Sequence, residues 1–227
     1  MAASRSVRDA VAVAGALTFL LLATLVALGA TDAFDFAVTS WLTDPERSGG
    51  VPLARAVTDL GSTWAVTLIA VALLAVLLAR RAVGLGLLAS GTIAVVALGN
   101  STIKLILSRA RPEVLNAPIV EPGFSFPSGH ALMSATTYGV LAVLVLRGRL
   151  PRPVKTAVVI ALAALVGCVG LTRVYLGVHF LTDVIAGWVL GAVIVLVFAR
   201  STDTRAATAD RPPALAVDPA APVPPEG

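Results

Sequence analysis

The residues of this chain whose types and spacing best suit chemistry are its two histidines, each of which lies near basic side chains. His130 ends the segment FPSGH, and His179 follows Arg173 by six residues and precedes Asp183 by four. Only 13% of the residues are charged, and a cation beside hydrocarbon costs free energy unless an anion or water compensates it. We therefore expect these basic residues to face an anionic ligand, and we interpret them as part of a phosphate site at a membrane surface.

A second group of residues, before His130 in the chain, has the chemistry of an anion site. Lys104 and Arg111 are seven residues apart, about two helical turns, so both can lie on one helix face if the helix persists that far. Ser128 and Gly129 follow a proline and begin a predicted helix. Free backbone N–H groups and the helix dipole at such a start bind anions, and glycine lets the backbone approach closely.

The pair formed by His179 and Asp183 has the spacing of neighbours on one helix face. A carboxylate beside an imidazole fixes its tautomer and makes its free nitrogen more basic. Two histidines with three cations suit phosphoryl transfer, in which one imidazole attacks phosphorus and the other protonates the leaving oxygen.

The elements that must position these residues are membrane spans. The chain is 57% hydrophobic with a mean hydropathy of +0.91, and several apolar runs approach the length of about 20 residues that crosses a bilayer. The predicted spans cover residues 11–28, 64–78, 83–107, 129–146, 156–171 and 180–198. Residues 51–60 have a short amphipathic pattern that predicts a helix along the interface. We therefore predict an all-α, integral-membrane bundle of six transmembrane helices, with one short interfacial helix in the first extracytoplasmic loop.

Two further features complete the predicted organisation. The third span contains glycines that we expect to allow close helix packing, namely Gly84, Gly86, Gly91 and Gly99. Residues 1–200 form the membrane domain, whereas residues 201–227 are rich in alanine, proline and acid without a period and are predicted to be a disordered cytoplasmic tail.

Basic residues predict the orientation of the bundle. One side of the predicted membrane carries Arg5, Arg8, Arg80, Arg81, Arg147, Arg149, Arg152, Lys155, Arg200, Arg205 and Arg211. Because cytoplasmic loops carry excess lysine and arginine, both termini are predicted to be cytoplasmic in a cell inner or plasma membrane. The loops with His130 and His179 then open on the extracytoplasmic side. The net charge of +4 does not indicate a nucleic-acid partner, because the cations lie at span ends and form no basic stripe.

Three segments together resemble the signature of a known superfamily. They are Lys104-x6-Arg111-Pro112, Pro127-Ser128-Gly129-His130 and Arg173-x5-His179-x3-Asp183. They are similar to the motifs of the type 2 phosphatidic acid phosphatase superfamily, which includes integral-membrane lipid phosphatases and soluble vanadium haloperoxidases. The motifs span residues 104–183, about a third of the chain, and the six predicted spans favour the membrane branch. Thr172 stands where the third motif usually has serine, and threonine keeps the hydroxyl.

The resemblance implies a role for each matched residue. His179 would be the nucleophile that forms a phosphohistidine, Asp183 would orient it, and His130 would be the general acid. The phosphate group would be bound by Lys104, Arg111, Arg173, Ser128 and Gly129. The implied substrate is a lipid phosphate or diphosphate held among membrane lipids, such as polyprenyl diphosphate, phosphatidic acid or phosphatidylglycerol phosphate. The implied reaction uses no cofactor and no metal.

Alternatives to this reading remain open. A metal site at His130, His179 and Asp183 is disfavoured because three nearby cations would repel a divalent ion. A phosphotransferase would use the same intermediate but pass the phosphoryl group to an alcohol. A non-catalytic transporter or scaffold is a further alternative, although the sequence lacks the internal repeat usual in transporters. We interpret Arg109, between the two matched cations, as a residue that faces lipid headgroups.

Overall fold

The computed structural model describes residues 2–43, 49–113 and 119–209, and every regular element in these ranges is a helix. The helices are α1 (Ala2–Ala27), α2 (Asp32–Leu42), α3 (Val51–Asp59), α4 (Thr63–Ala79), α5 (Val83–Leu107), α6 (Gly129–Arg147), α7 (Arg152–Tyr175) and α8 (Leu181–Ala209). Within the described ranges, six stretches are long and apolar enough to cross a membrane, and the second of them combines α3 and α4. The predicted all-α architecture with six spans is confirmed.

The predicted spans differ from the helices mainly at their ends. Helix α7 continues to Tyr175, so Arg173 lies in its last turn and not in a polar connection as predicted. Helix α8 continues to Ala209, so the first residues of the predicted tail are helical. The remainder of that predicted tail, residues 210–227, lies outside the described residues. Large apolar side chains such as Leu98 and Ile106 are exposed on the outside of the bundle, as lipid contact requires.

The segment between the first two predicted spans contains one more helix than expected. We predicted a polar loop with a single short helix, but the structure has both α2 and α3. The first turn of α2 carries Asp32 and Asp35, which favours helix initiation because carboxylates interact well with the positive end of the dipole. Helix α3 packs its buried Ala54 against Leu176 and Val178 after α7. Both short helices therefore lie beside the loop that joins α7 to α8.

Glycines allow α6 and α8 to pack closely along the centre of the bundle. A Cβ atom added at Gly139 would lie 2.4 Å from a valine side chain of α8, and one at Gly187 would lie 2.9 Å from the carbonyl oxygen of Ser128. In contrast, a Cβ at Gly91 or Gly99 would meet no described atom within 4 Å. The predicted packing role is wrong for these two glycines of α5. The prediction holds for Gly86 of α5, where a Cβ would lie 3.2 Å from the side chains of Leu74 and Leu77 in α4, and small residues also allow close contact between α6 and α8.

Candidate active site

The first group of site residues lies on both sides of the end of α5, with Lys104 in its last turn and Arg111 after it. That helix ends at Leu107, because Ser108 adopts a left-handed conformation with φ of 46° and its N–H donates to the carbonyl of Lys104 at 2.9 Å. A left-handed residue closes a helix C-terminus. Arg111 consequently lies beyond the helix, on backbone without regular secondary structure. The helix does not persist to Arg111, so the condition for a common helix face with Lys104 is not met, and α5 ends at Leu107, the last residue of the predicted third span.

Lys104 and Arg111 nevertheless come together, because both bind the chain that leads into α6. Lys104 Nζ donates to the carbonyl of Phe124 and lies 3.5 Å from that of Ser125. Arg111 Nε donates to the carbonyl of Gly123 at 3.1 Å. The first predicted motif therefore lies directly beside the second.

His179 lies in the turn between α7 and α8, and each of its ring nitrogens has a partner. Nε2 lies 3.2 Å from Arg111 Nη1, and Nδ1 lies 3.4 Å from Asp183 Oδ2. Because a guanidinium has only donors, Nε2 must accept, which assigns the hydrogen to Nδ1. The predicted pair of His179 and Asp183 is thus brought together, with the Nε2 lone pair on the side of the basic residues.

The environment of His179 keeps its imidazole neutral. The side chain is almost fully buried, and burial lowers its pKa to about 4, with Arg173 and Arg111 acting in the same direction and Asp183 opposing them. A neutral imidazole retains the lone pair that a nucleophile needs.

Arg173 enters the site from the last turn of α7 and has an acidic partner that the sequence did not reveal. Its guanidinium donates to Glu121 Oε1 and, at 3.1 Å, to Thr58 Oγ1 of α3. The other Glu121 oxygen lies 3.3 Å from Arg111 Nη1. Burial would raise the pKa of Glu121, but Arg173 and Arg111 outweigh it and lower that pKa. A carboxylate thus lies between two of the predicted phosphate-binding arginines, where another anion could bind in its place.

The start of α6 supplies the remaining predicted residues. The Ser128 N–H donates to the carbonyl of Asp183 at 3.0 Å, while the buried Ser128 Oγ has no hydrogen-bond partner among the described residues. A Cβ at Gly129 would lie 3.0 Å from Asn100 Nδ2, so the site is narrow there. His130 is close enough to interact electrostatically with Arg173, Glu121, His179 and Arg111. A buried hydroxyl beside a helix start is suited to an anionic ligand.

The interpretation of Arg109 as a headgroup residue is wrong. Its side chain is only 9% exposed, and it donates to Asp183 Oδ1 at 2.7 Å and to Asp35 Oδ2 at 2.8 Å. The guanidinium also lies 4.2 Å from the centre of the Phe180 ring. Burial opposes its charge, but Asp183 and Asp35 outweigh that effect and raise the pKa of Arg109. Buried carboxylates require such a cation, but the burial of Asp35 and Asp183 follows from the packing of the helices, so the sequence held no signal that identifies Arg109.

The geometry of the site bears on the metal alternative. Within the part of the chain that the structure describes, no three His, Cys, Asp or Glu side chains are grouped so that they could hold a metal ion. Both nitrogens of His179 already have protein partners, Arg111 and Asp183. The ligand set that this alternative needs is therefore not assembled among these residues.

Comparison with known proteins identifies the family. The sequence matches the PAP2 superfamily over residues 83–207, which is more than half of the chain. The chain belongs to this superfamily, as the three motifs predicted.

Named relatives and solved structures agree with this assignment. The chain is 42% identical over 98 residues to phosphatidylglycerophosphatase B of Bacillus subtilis, covering 42% of this chain and 47% of the relative. It is 37% identical over 128 residues to an undecaprenyl-diphosphatase of Sulfolobus acidocaldarius, covering 54% and 57%. The matches thus span about half the length of these curated relatives.

The crystal structure of a transmembrane PAP2-type phosphatidylglycerolphosphate phosphatase from Bacillus subtilis superposes with a TM-score of 0.74 at 30% identity, covering 86% of this chain and 96% of that one. Aquifex aeolicus LpxE superposes with a TM-score of 0.56 at 20% identity, covering 74% and 95%, which shows a shared fold.

Proposed function

We propose that this integral-membrane protein is a phosphatase that hydrolyses a lipid phosphate or diphosphate through a phosphohistidine at His179. The observation that carries the proposal is the setting of His179. Its neutral imidazole is paired with Asp183 through Nδ1, and its unprotonated Nε2 accepts from Arg111 on the other side. A nucleophile with an orienting carboxylate and convergent cations is the arrangement that phosphoryl transfer needs.

In the first step, the Nε2 lone pair of His179 forms a bond to phosphorus as the bond from phosphorus to the lipid oxygen breaks. His130 acts here as an imidazolium, the form that the negative charge of the bound substrate favours, and it gives its proton to that departing oxygen and becomes neutral. Lys104, Arg111 and Arg173 offset the negative charge of the transferring group, which is the main electrostatic requirement of such reactions. The Arg111 contact with Nε2 opens when a phosphate oxygen takes its place.

In the second step, water attacks phosphorus while His130, now unprotonated, accepts a proton from that water. The bond between nitrogen and phosphorus breaks, and inorganic phosphate leaves with His179 neutral again. Asp183 keeps Nδ1 protonated throughout, so that Nε2 is the nitrogen that reacts. The chemistry assigned to these residues uses no metal ion and no cofactor.

The proposed substrates are the lipid phosphates named for two relatives, together with a third lipid phosphate of the same chemistry. Phosphatidylglycerol phosphate and undecaprenyl diphosphate follow from the names of two relatives, and phosphatidic acid has the same chemistry. A site beside the spans suits a lipid whose headgroup reacts while its tails stay in the bilayer. The distribution of arginines supports an extracytoplasmic site with both termini cytoplasmic.

The proposal is tested by measuring phosphate release from a panel of three lipids: phosphatidylglycerol phosphate, undecaprenyl diphosphate and phosphatidic acid. Purified protein should release phosphate without an added alcohol acceptor, which separates hydrolysis from phosphotransfer. His179→Asn is nearly isosteric and should fold but lose turnover, whereas a transporter or scaffold would keep its function. Chelator should leave the rate unchanged. Activity that survives in the His179→Asn variant, or a loss on chelation that Mg²⁺ or Zn²⁺ restores, would contradict the mechanism.

A further inference from the structure

A buried pair that matches no defined position of the three motifs contacts the proposed nucleophile dyad. We propose that Asp35 and Arg109 are positioning residues that hold Asp183, and through it His179, in the orientation needed for attack on phosphorus. This inference rests on the proposed function, because it assigns these two residues to the same reaction. It extends the site to α2, an element that contains none of the matched motifs.

Arg109 connects the two carboxylates through different nitrogens. Nη1 donates to Asp183 Oδ1 at 2.7 Å, and Nη2 donates to Asp35 Oδ2 at 2.8 Å. The planar guanidinium holds its donors in a fixed fork, so two anchored carboxylates define its plane. The Phe180 ring, 4.2 Å from the guanidinium carbon, packs against one face of that plane. Arg109 is therefore fixed in position as well as charged.

Asp183 has both of its oxygens engaged as a result. Oδ1 accepts from Arg109, while Oδ2 accepts from the backbone N–H of Phe180 at 3.0 Å and lies 3.4 Å from His179 Nδ1. Rotation of this carboxylate away from the imidazole would break the bond to Arg109. The side chain is also fully buried, so water cannot replace the lost partner. The orientation of His179 thus depends on Arg109.

Asp35 holds Arg109 from the side opposite Asp183, and it also binds the start of α8. Its side chain is 0% exposed, and Oδ1 accepts from the Thr182 backbone N–H at 3.0 Å while Oδ2 accepts from Thr182 Oγ1 at 2.5 Å. The first N–H groups of a helix lack partners within it. The Asp35 carboxylate of α2 accepts from one of them and so caps the start of α8. Thr182 is the residue directly before Asp183, and Asp35 therefore fixes both the backbone and the arginine that position it.

A neighbouring carboxylate offers a matched comparison. Asp32 also accepts from Arg109, at 3.1 Å, but its side chain is 67% exposed. Solvent screens such a contact and leaves it little influence. Loss of the buried Asp35 charge, in contrast, leaves the Arg109 guanidinium with one buried carboxylate partner, Asp183, where it had two. The same chemical change at these two positions should have very different effects.

The first experiment measures kinetics of the full-length protein in detergent micelles. We expect Asp35→Asn to lower kcat by about 10- to 100-fold, the size of effect typical for residues that orient a functional histidine. KM should stay within about 3-fold, because the residues proposed to bind phosphate are unchanged. The variant loses only the orientation of His179, which stabilises the transition state and not the bound substrate. Asp32→Asn should keep the wild-type kcat. Equal effects of the two variants, or a change confined to KM, would overturn the inference.

A second variant keeps the inference testable if Asp35→Asn folds poorly. Arg109→Lys retains the positive charge but loses the fork that reaches both carboxylates. It should also lose kcat with little change in KM. A lysine variant with wild-type kcat would show that charge alone is needed at this position and would overturn the bridging role.

A spectroscopic readout separates this inference from the proposed function. The chain has two histidines, so ¹⁵N-histidine NMR in a His130→Gln background reports on His179 alone. With Asp35 present, the shifts should be those of a single Nδ1–H tautomer; after Asp35→Asn they should move towards a mixture of tautomers. Unchanged shifts would overturn the positioning role whatever the activity. A wild-type protein that released no phosphate while its tautomer responded to Asp35→Asn would remove the proposed function and leave the positioning role standing.

Discussion

Arg111 Nη1 lies 3.2 Å from Nε2 of His179, so the nitrogen proposed to attack phosphorus is already paired with a residue proposed to bind phosphate. The contact assigns the tautomer of the imidazole, because a guanidinium can only donate. It also places a positive charge on the side of the ring from which, in the proposed mechanism, the anion approaches. The arginine would then have two successive partners, the imidazole in the free protein and a phosphate oxygen in the complex.

The first prediction concerns the ionisation of His179. Burial, Arg173 and Arg111 together lower its pKa to about 4 despite Asp183, so the imidazole should be neutral at pH 6 and become protonated only as the pH falls towards 4. NMR titration of the two-histidine protein, with His130→Gln for assignment, measures this midpoint directly. A midpoint near the ordinary value of 6.5 would show that the free protein presents a charged imidazole and no lone pair at mildly acidic pH.

The second prediction concerns Glu121, whose carboxylate lies between Arg111 and Arg173. Glu121→Gln should bind inorganic phosphate more tightly, because an incoming anion no longer meets a negative charge or competes for both arginines. We expect the inhibition constant of phosphate to fall by about tenfold, equivalent to about 1.4 kcal/mol. Glu113→Gln, at an exposed position shortly after Arg111, is the matched control and should leave inhibition unchanged. Weaker inhibition in the Glu121 variant would mean that the carboxylate helps to organise the arginines.

The third prediction separates the two histidines by their dependence on the leaving group. A general acid matters most when the departing oxygen is a poor leaving group and typically contributes about 10²- to 10⁴-fold. His130→Gln should therefore lose far more activity towards an alkyl lipid phosphate than towards an aryl phosphate such as p-nitrophenyl phosphate. His179→Asn should lose both activities together. Equal losses for the two substrates in the His130 variant would remove its role as the acid.

The fourth prediction concerns the close approach of α8 to the start of α6. In Gly187→Ala, the new methyl group would lie 2.9 Å from the Ser128 carbonyl oxygen, a backbone atom that cannot move without shifting the helix start. Overpacking of this kind costs about 1–3 kcal/mol, and we expect a lower Tm together with a lower kcat. Gly167→Ala is the control, because a Cβ there meets no described atom within 4 Å. A Gly187 variant as stable and active as the control would show that the helices can separate freely.

Local patterns were sufficient to predict the spans and the three motifs. Hydropathy identifies helices such as α5 and α6 because a bilayer requires about 20 apolar residues in a row. The pairing of His179 with Asp183 was predicted from helical spacing, and it forms although His179 lies in the turn just before α8. These features depend on residues that are close in sequence, so they can be recognised without knowing how the helices pack.

The contacts of Arg109 and Glu121 could not be predicted in this way. Arg109 is 74 residues from both Asp35 and Asp183 in sequence, and Glu121 is 52 residues from Arg173. From the sequence alone, each of these residues is consistent with a position on the surface, because its partner is far away in the chain and comes close only when the helices pack. Helix α2 was missed for a related reason: its buried face contains Asp35 and Thr39, and polar residues become buried there only because α8 begins beside them.

The cap that Asp35 provides for α8 has a consequence for how the protein is made. Synthesis proceeds from the N-terminus, so α2 is complete long before its partner Thr182 leaves the ribosome. Until α8 enters the bilayer, the chain holds Lys104, Arg111 and His130 but has no anchored Asp183. In the proposed mechanism, a partly inserted chain would thus carry basic residues of the phosphate site but no oriented nucleophile, and so would not transfer a phosphoryl group. Competence for the proposed reaction would arise late, when α8 docks against α2.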